Sequence, residues 1–222
     1  YRDQILKKEK MNFLKSRMIF CMSEWTKESL INDYEVPREK ILVLPGGANI
    51  QKKYIQKYGL SFSVPEPPSN FQPLKIGFLG QDWERKGGPK LLDIVNELNS
   101  NSIPTILRVV GFPNYKLPKS KYIQNVGFIN KNKNMEKFIS EIQSWHFGTL
   151  FSKAEAYGIS NRECLYLGVP IICHDVGGIR STLPTNSFEY GRIFKSFETS
   201  QTIADWITDI ISNYSLYIHL RN

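Results

Sequence analysis

The chain is poor in cysteine and histidine and has no long apolar run, and each shortage removes a class of function. Its three cysteines, Cys21, Cys164 and Cys173, are far apart among 222 residues, and each is embedded in apolar sequence. They read as buried thiols of a reducing, cytoplasmic compartment and not as a disulfide framework. His146, His174 and His219 form no H-E-x-x-H pattern, no C-x-x-C accompanies them, and Asp-x-Asp is absent. Neither a bound metal nor a resident cofactor is therefore expected. No stretch of roughly eighteen apolar residues occurs, which argues against a membrane-spanning helix. No G-x-G-x-x-G follows the apolar segment at 74–79, as a dinucleotide-dependent dehydrogenase would need. The chain opens Tyr1-Arg2-Asp3, without an initiator Met or a signal-peptide pattern, and reads as a piece of something longer.

What is abundant is positive charge. Lys and Arg number 29 against 21 Asp and Glu, a net +8. Such a surplus favours anionic ligands or acidic surfaces. Part of it lies in Lys7, Lys8, Lys10, Lys15 and Arg17, on an expected amphipathic helix from Arg2 to Arg17 whose apolar positions are Ile5, Leu6, Met11, Phe13 and Leu14. A solvated helix face explains this cluster more simply than peripheral contact with an anionic membrane. A second cluster is Lys116, Lys119, Lys121, Lys131 and Lys133. Aromatic residues do not interleave with either cluster as a stacking platform requires, so nucleic acid is not an expected partner.

At 41% hydrophobic, the chain can bury a full core. Short apolar runs and helical periods alternate along it. After the first helix, a strand at 18–21 and a helix capped by Ser23 lead to a strand at 41–44 closed by Pro45-Gly46-Gly47. Residues 58–73 carry Pro65, Pro67, Pro68 and Pro73 and read as a linker or surface strap. Beyond it come a strand at 74–79, a helix at 90–98, strands at 105–110 and 123–128 and a helix at 135–145. A strand and helix around residues 146–167 follow, then a strand at 171–173, a short helix after Gly178, a strand at 192–194 and a long helix from Thr202. This alternation implies an α/β fold with a mostly parallel sheet covered by helices on both faces. Residues 1–50 read as the end of a preceding domain, 51–73 as the linker and 74–222 as the main domain.

Ligands of such sheets bind where strands end and helices begin. Three strand-end loops stand out. Gly80-Gln81-Asp82-Trp83-Glu84-Arg85-Lys86-Gly87-Gly88 sets two cations and two glycines before Pro89, and Asp175-Val176-Gly177-Gly178 opens another helix. Between them in sequence, Glu155-Ala-Tyr-Gly158-Ile159-Ser160-Asn-Arg-Glu163 sets two carboxylates across a turn. Gly158 lets backbone approach a ligand, and the amides of a helix start attract anions. Ser160 and Glu163 also fit a capping box, so Glu163 either closes that cap or accepts hydrogen bonds from neutral hydroxyls. Both readings of the helix remain open on this segment alone. The glycine pairs by themselves mark turns; together with the cations and carboxylates they are the parts needed to hold a nucleotide diphosphate attached to a sugar.

These residues resemble the retaining family-4 glycosyltransferases of the GT-B fold. The likeness rests on Glu155 and Glu163 in E-x7-E spacing, Gly168-Val169-Pro170 with Gly177-Gly178, and the Lys86-Gly87 loop. Ser23-Glu-Trp-Thr with Val36-Pro-Arg-Glu-Lys-Ile41 and Pro45-Gly-Gly is similar to the end of that family's first domain. The resemblance implies a Rossmann-like donor-binding domain in 74–222, preceded by a remnant of the acceptor domain. It implies that Glu163 holds ribose hydroxyls and Glu155 faces the transferred sugar. Backbone around Gly158, Ile159 and Ser160 would meet phosphate and sugar, Lys86 with Arg85 would neutralise the diphosphate, and Gly127, Phe128 and Ile129 would meet the base. Gly80 and Gln81 belong to the same donor site; Gln81 replaces the family's usual Arg, and Ala156 its usual Gly. Implied partners are a nucleotide-diphosphate sugar and an acceptor sugar, lipid or glycoconjugate, with neither metal nor cofactor. The same fold hosts nucleotide-sugar epimerases and glycosyl phosphorylases, and a non-catalytic sugar-nucleotide-binding module is a further alternative.

Overall fold

A computed structural model of the chain describes residues 2–58, 65–69, 71–111, 117–183 and 189–221. The expected linker at 59–64 and 70, and Lys116 of the second basic cluster, lie outside the described residues.

Among the described residues, the main domain is built from six parallel strands. They are β3 (Leu74–Leu79), β4 (Thr105–Val110), β5 (Ile123–Gly127), β6 (Phe147–Leu150), β7 (Ile171–His174) and β8 (Gly191–Phe194), in the spatial order β5-β4-β3-β6-β7-β8. Helices α4 (Gly88–Ser100), α5 (Lys131–Gln143), α6 (Ile159–Tyr166), α7 (Ser200–Ser212) and α8 (Tyr214–Arg221) cover both faces. The order reverses between β3 and β6, and that switch point opens a crevice at the carboxyl ends of the strands.

Coverage on both faces explains why the central strands β6 and β7 are buried along their whole length and read as short, largely apolar runs without polar alternation. In β7, Ile172 joins the core under α4 and α7, whereas Ile171 and Cys173 point to the opposite core under α5 and α6. The second core depends on a missing side chain. Trp145, fully buried, lies flat where β3 carries Gly77, and a Cβ there would come within 1.8 Å of the indole.

The early segment forms its own small unit. Helix α1 (Arg2–Lys15), strand β1 (Ile19–Cys21), helix α2 (Glu24–Asn32) and strand β2 (Ile41–Val43) surround a core of Cys21, Leu30, Val36 and Ile41. The strands pair in parallel, apart from the main sheet. Ser23 caps α2 as expected, accepting from the Thr26 amide at 3.1 Å. Of the apolar positions expected on the first helix, Phe13 packs edge-on against Tyr34 at 5.1 Å, while Ile5, Leu6, Met11 and Leu14 are exposed.

Several boundaries differ from expectation. The first segment of the linker is helical, α3 (Lys52–Tyr58). Helix α5 begins at Lys131, four residues early, because Asn130 caps it; its first turn is interrupted at Asn134. The capping box at Ser160 is not formed. Gly158, in the left-handed conformation at φ 95°, occupies the cap position without a side-chain bond, and the Ser160 hydroxyl is buried with no hydrogen-bond partner among the described residues. The tight turn out of β6 starts the helix two residues earlier than the side-chain pattern suggested.

At the amino ends of β3 and β6, opposite the crevice, His146 ties the strap to the core. Its Nδ1 accepts from the Lys75 amide at 3.0 Å, which leaves Nε2–H to donate to the Glu66 carbonyl at 3.0 Å. Burial pushes this imidazole down to about 4, and His174 is likewise pushed down to about 4 by burial. Both are neutral in the fold, whereas the unfolded chain takes up their protons near 6.5. The unfolded state thus binds more protons between these values, and stability falls as pH drops from 6.5 toward 4, by up to roughly 3 kcal/mol for His146. Urea unfolding at pH 7.5, 5.5 and 4.5 should show that loss, with a shallower decline in His146→Asn. Stability that stays level across this window would contradict the buried neutral imidazoles.

Candidate functional site

The crevice is assembled by the loop that follows β6. Residues 153–157 are bonded to three different neighbours. The Lys153 amide donates to the Arg85 carbonyl at 2.8 Å, and the Arg85 Nη1 donates to the Ala154 carbonyl at 2.9 Å. On another side, the Gly178 amide donates to the Glu155 carbonyl at 3.0 Å. On the third, Ser23 Oγ donates to the Ala156 carbonyl at 3.1 Å and the Tyr157 hydroxyl to the Gly46 carbonyl at 2.6 Å. The three strand-end loops therefore meet, and the early segment meets them too.

Two glycines permit this contact. A Cβ on Gly87 would lie 2.1 Å from the Phe151 carbonyl oxygen, and one on Gly177 would lie 2.0 Å from that of Glu155. Both glycines have positive φ, 78° and 57°, which L residues adopt only with strain. The Gly177-Gly178 pair thus serves backbone packing behind Glu155.

Between the β3 and β5 ends on one side and α6 on the other lies a cavity of about 320 Å³. Gly80, Gln81 and Lys86 line it from the β3 loop, Phe128 and Ile129 from the β5 end, and Ile159, Ser160 and Glu163 from the first turn of α6. The Lys86 side chain runs over Gly80, where a Cβ would stand 2.4 Å from its Cδ. Burial lowers the Lys86 ammonium, opposed chiefly by the Glu155 carboxylate. A partly desolvated cation of this kind gains most from an anionic ligand.

Four expected site residues lie outside the cavity wall. Arg85 is latched to Asp82, with Nε 3.1 Å from Oδ2, and reaches Glu155 Oε2 at 3.4 Å. Glu155 lies beside the cavity under that guanidinium, and Gly158 and Gly127 set the backbone turns at its rim. Conversely, Asn49, Lys131 and Phe138 line the cavity without having been expected to. Lys131 pairs with Glu163, whose side chain is only 3% exposed. Lys131 carried a sequence signal only as part of a basic cluster, and Asn49 carried none, since its placement depends on the contact between the early segment and the main domain.

Residues 63–222 match the family described as "Glycosyl transferases group 1". The chain belongs to this family. No curated protein matches it. Among solved structures, a glycosyltransferase from Rickettsia africae aligns at 18% identity and a TM-score of 0.70, over 98% of this chain and 60% of its own. HepE of Anabaena, solved with UDP-glucose, aligns at 13% identity and a TM-score of 0.71, over 100% and 61%. A sucrose-phosphate synthase of Thermosynechococcus elongatus aligns at 17% and 0.70, over 99% and 55%. At such identities the likeness is one of fold, that of the C-terminal part of GT-B glycosyltransferases, and the group 1 chain spans about 60% of the first two structures' length.

The loop contacts predict which glycines of this glycosyltransferase domain tolerate a methyl group. Gly177→Ala should lose at least about 2 kcal/mol of stability through overpacking and backbone strain. Gly47→Ala, where none of the described residues lies within 4 Å of the added atom, should melt like the wild type. Equal melting temperatures for the two variants in calorimetry would show that the Glu155 loop has slack.

Proposed function

We propose that the chain is the donor-binding half of a retaining family-4 glycosyltransferase. It moves a sugar from a nucleotide-diphosphate sugar to an acceptor sugar, lipid or glycoconjugate, without a metal. The observation that carries this reading is the meeting of Lys86, the start of α6 and Glu163 around one cavity at the sheet's switch point. A nucleotide sugar needs these three chemistries. The Lys86 ammonium and the amides at the start of α6 stabilise the charge that develops on the leaving diphosphate. The Ser160 hydroxyl, buried with no partner among the described residues, supplies a further hydrogen bond. Glu163 accepts from ribose hydroxyls, and the backbone beside Phe128 and Ile129 meets the base.

Glu155 faces the transferred sugar. Arg85, held against both Asp82 and Glu155, acts on this step by fixing the carboxylate, and Gln81 contacts the diphosphate as a neutral donor. HepE, solved with UDP-glucose, and the group 1 family assignment support the ligand class.

The acceptor is held by a first domain of which residues 1–50 form the end. The exposed apolar face of the β1–β2 pair, with Phe20, Met22, Leu42 and Leu44, supports this reading, since a two-stranded parallel sheet is seldom complete alone. The 222-residue chain by itself is expected to bind donor weakly and not to catalyse transfer; turnover of a nucleotide sugar to a glycoside by this chain would contradict that.

In the complete protein, Glu163→Ala should cost roughly 1.5 to 3 kcal/mol of nucleotide-sugar affinity through lost charge-assisted hydrogen bonds. Lys86→Met should weaken binding of the diphosphate while leaving binding of the free nucleoside nearly unchanged. Calorimetric titration checks both, and an unchanged affinity in either variant returns that residue to a structural role. A thermal-shift panel of UDP, GDP and ADP sugars should raise the melting temperature for one nucleotide selectively. Product analysis with and without acceptor separates transfer from epimerisation.

A further inference from the structure

Glu163 does not stand alone in the cavity. Its Oε1 accepts a hydrogen bond from the Lys131 Nζ, and its Oε2 has no hydrogen-bond partner among the described residues. Lys131 is itself positioned. It is the first residue of α5, set by the Asn130 cap, and its ammonium stands 4.3 Å from the centre of the Phe138 ring, which is buried and forms part of the cavity wall. The ammonium is thus fixed at two points on the cavity wall. Its side chain is 29% exposed against 3% for Glu163, so the lysine is the more accessible member of the pair.

A carboxylate can only accept hydrogen bonds, and an ammonium can only donate them. A hydroxyl does both. An acidic side chain alone therefore satisfies the protons of a vicinal diol and leaves the diol's oxygen lone pairs unserved. Placed side by side, the free Oε2 and the remaining Nζ–H groups offer one acceptor and one donor to adjacent hydroxyls. Burying Glu163 without a counter-charge would be costly, and Lys131 also removes that cost.

We propose that Lys131 is a specificity-determining residue: with Glu163 it forms a two-part reader of the ribose 2′,3′-diol, the carboxylate accepting from a hydroxyl and the ammonium donating to one. This rests on the reading of the cavity as the nucleotide-sugar site. It assigns discrimination of ribose from 2′-deoxyribose to the pair and not to Glu163 alone.

The test uses the complete protein. Titration calorimetry with UDP, GDP and ADP identifies the diphosphate that binds. That nucleotide and its 2′-deoxy form are then titrated into wild type, Lys131→Met, Lys131→Arg and the double variant Lys131→Met/Glu163→Gln. Wild type should prefer the ribonucleotide by at least about tenfold. Lys131→Met should lose most of that preference, and Lys131→Arg, which keeps the donor and the charge, should restore it. The double variant, free of an unpaired buried charge, keeps the comparison interpretable if Lys131→Met is poorly folded; it should show no more preference than Lys131→Met. Full ribose preference in Lys131→Met, or in the double variant, overturns the proposal while the donor-site reading stands. So does tighter ribonucleotide binding in Lys131→Met, which would make Lys131 a competitor for Glu163. Failure of all three diphosphates to bind wild type removes the donor-site reading and this inference together.

Discussion

The site depends on the fixing of one short loop. Residues 153–157 carry Glu155, and four of these five residues are bonded through a backbone group to other parts of the protein, Lys153 and Ala154 to Arg85 of the β3 loop, Glu155 to Gly178 of the β7 loop and Ala156 to Ser23 of the early segment, while the Tyr157 hydroxyl reaches Gly46. A loop on a strand end would ordinarily be mobile. Here its freedom is removed by backbone hydrogen bonds and by close approach at glycine, so the carboxylate it carries is held without help from a helix or strand. In the proposed donor site such positioning would matter to the reaction, because misplacement by about 1 Å can cost on the order of a hundredfold in rate.

Charge is arranged around that loop in alternating sign. Arg85 lies against Glu155, Lys86 lines the cavity within the field of Glu155, and Lys131 lies against Glu163. Pairing keeps the carboxylates compatible with burial, while Lys86, with no ion pair at hydrogen-bonding distance among the described residues, is the cation most available to a ligand. Desolvation that lowers its affinity for a proton is the same property that raises its gain from a phosphate. The chain's net positive charge contributes a favourable long-range field for such a ligand, but the cation facing the cavity is a matter of two or three residues.

Much of this was legible in the sequence because parallel sheets leave a strong imprint. The runs at 74–79, 105–110 and 171–173 lacked polar alternation since both of their faces are buried, and the glycines and cations between them marked the binding edge. Gly80, Gln81, Lys86, Ile159, Ser160 and Glu163 do gather at one cavity. The capping box failed because its two residues satisfy the same local pattern whether or not the backbone enters the helix at Ser160; the left-handed Gly158 decided the entry point. Arg85 looked equivalent to Lys86, its neighbour. Asp82, three residues earlier, captures its guanidinium, a distinction set by turn geometry that spacing alone did not resolve.

The remaining gap is the early segment, whose position no local pattern encodes. Ser23 was legible as a helix cap, and it is one, yet the same hydroxyl donates to the Ala156 carbonyl next to Glu155. A Cβ on Gly178 would meet both the Ala156 carbonyl oxygen, at 1.9 Å, and Ser23 Oγ, at 2.6 Å. One serine therefore caps a helix of the small unit and anchors the loop of the large one. Any rotation between the two units must stretch or break this contact and that of Tyr157 with Gly46, and both fall within two residues of Glu155. The physical consequence is that the contact between the two units and the placement of the Glu155 carboxylate are coupled: the early segment helps to hold the loop that carries it.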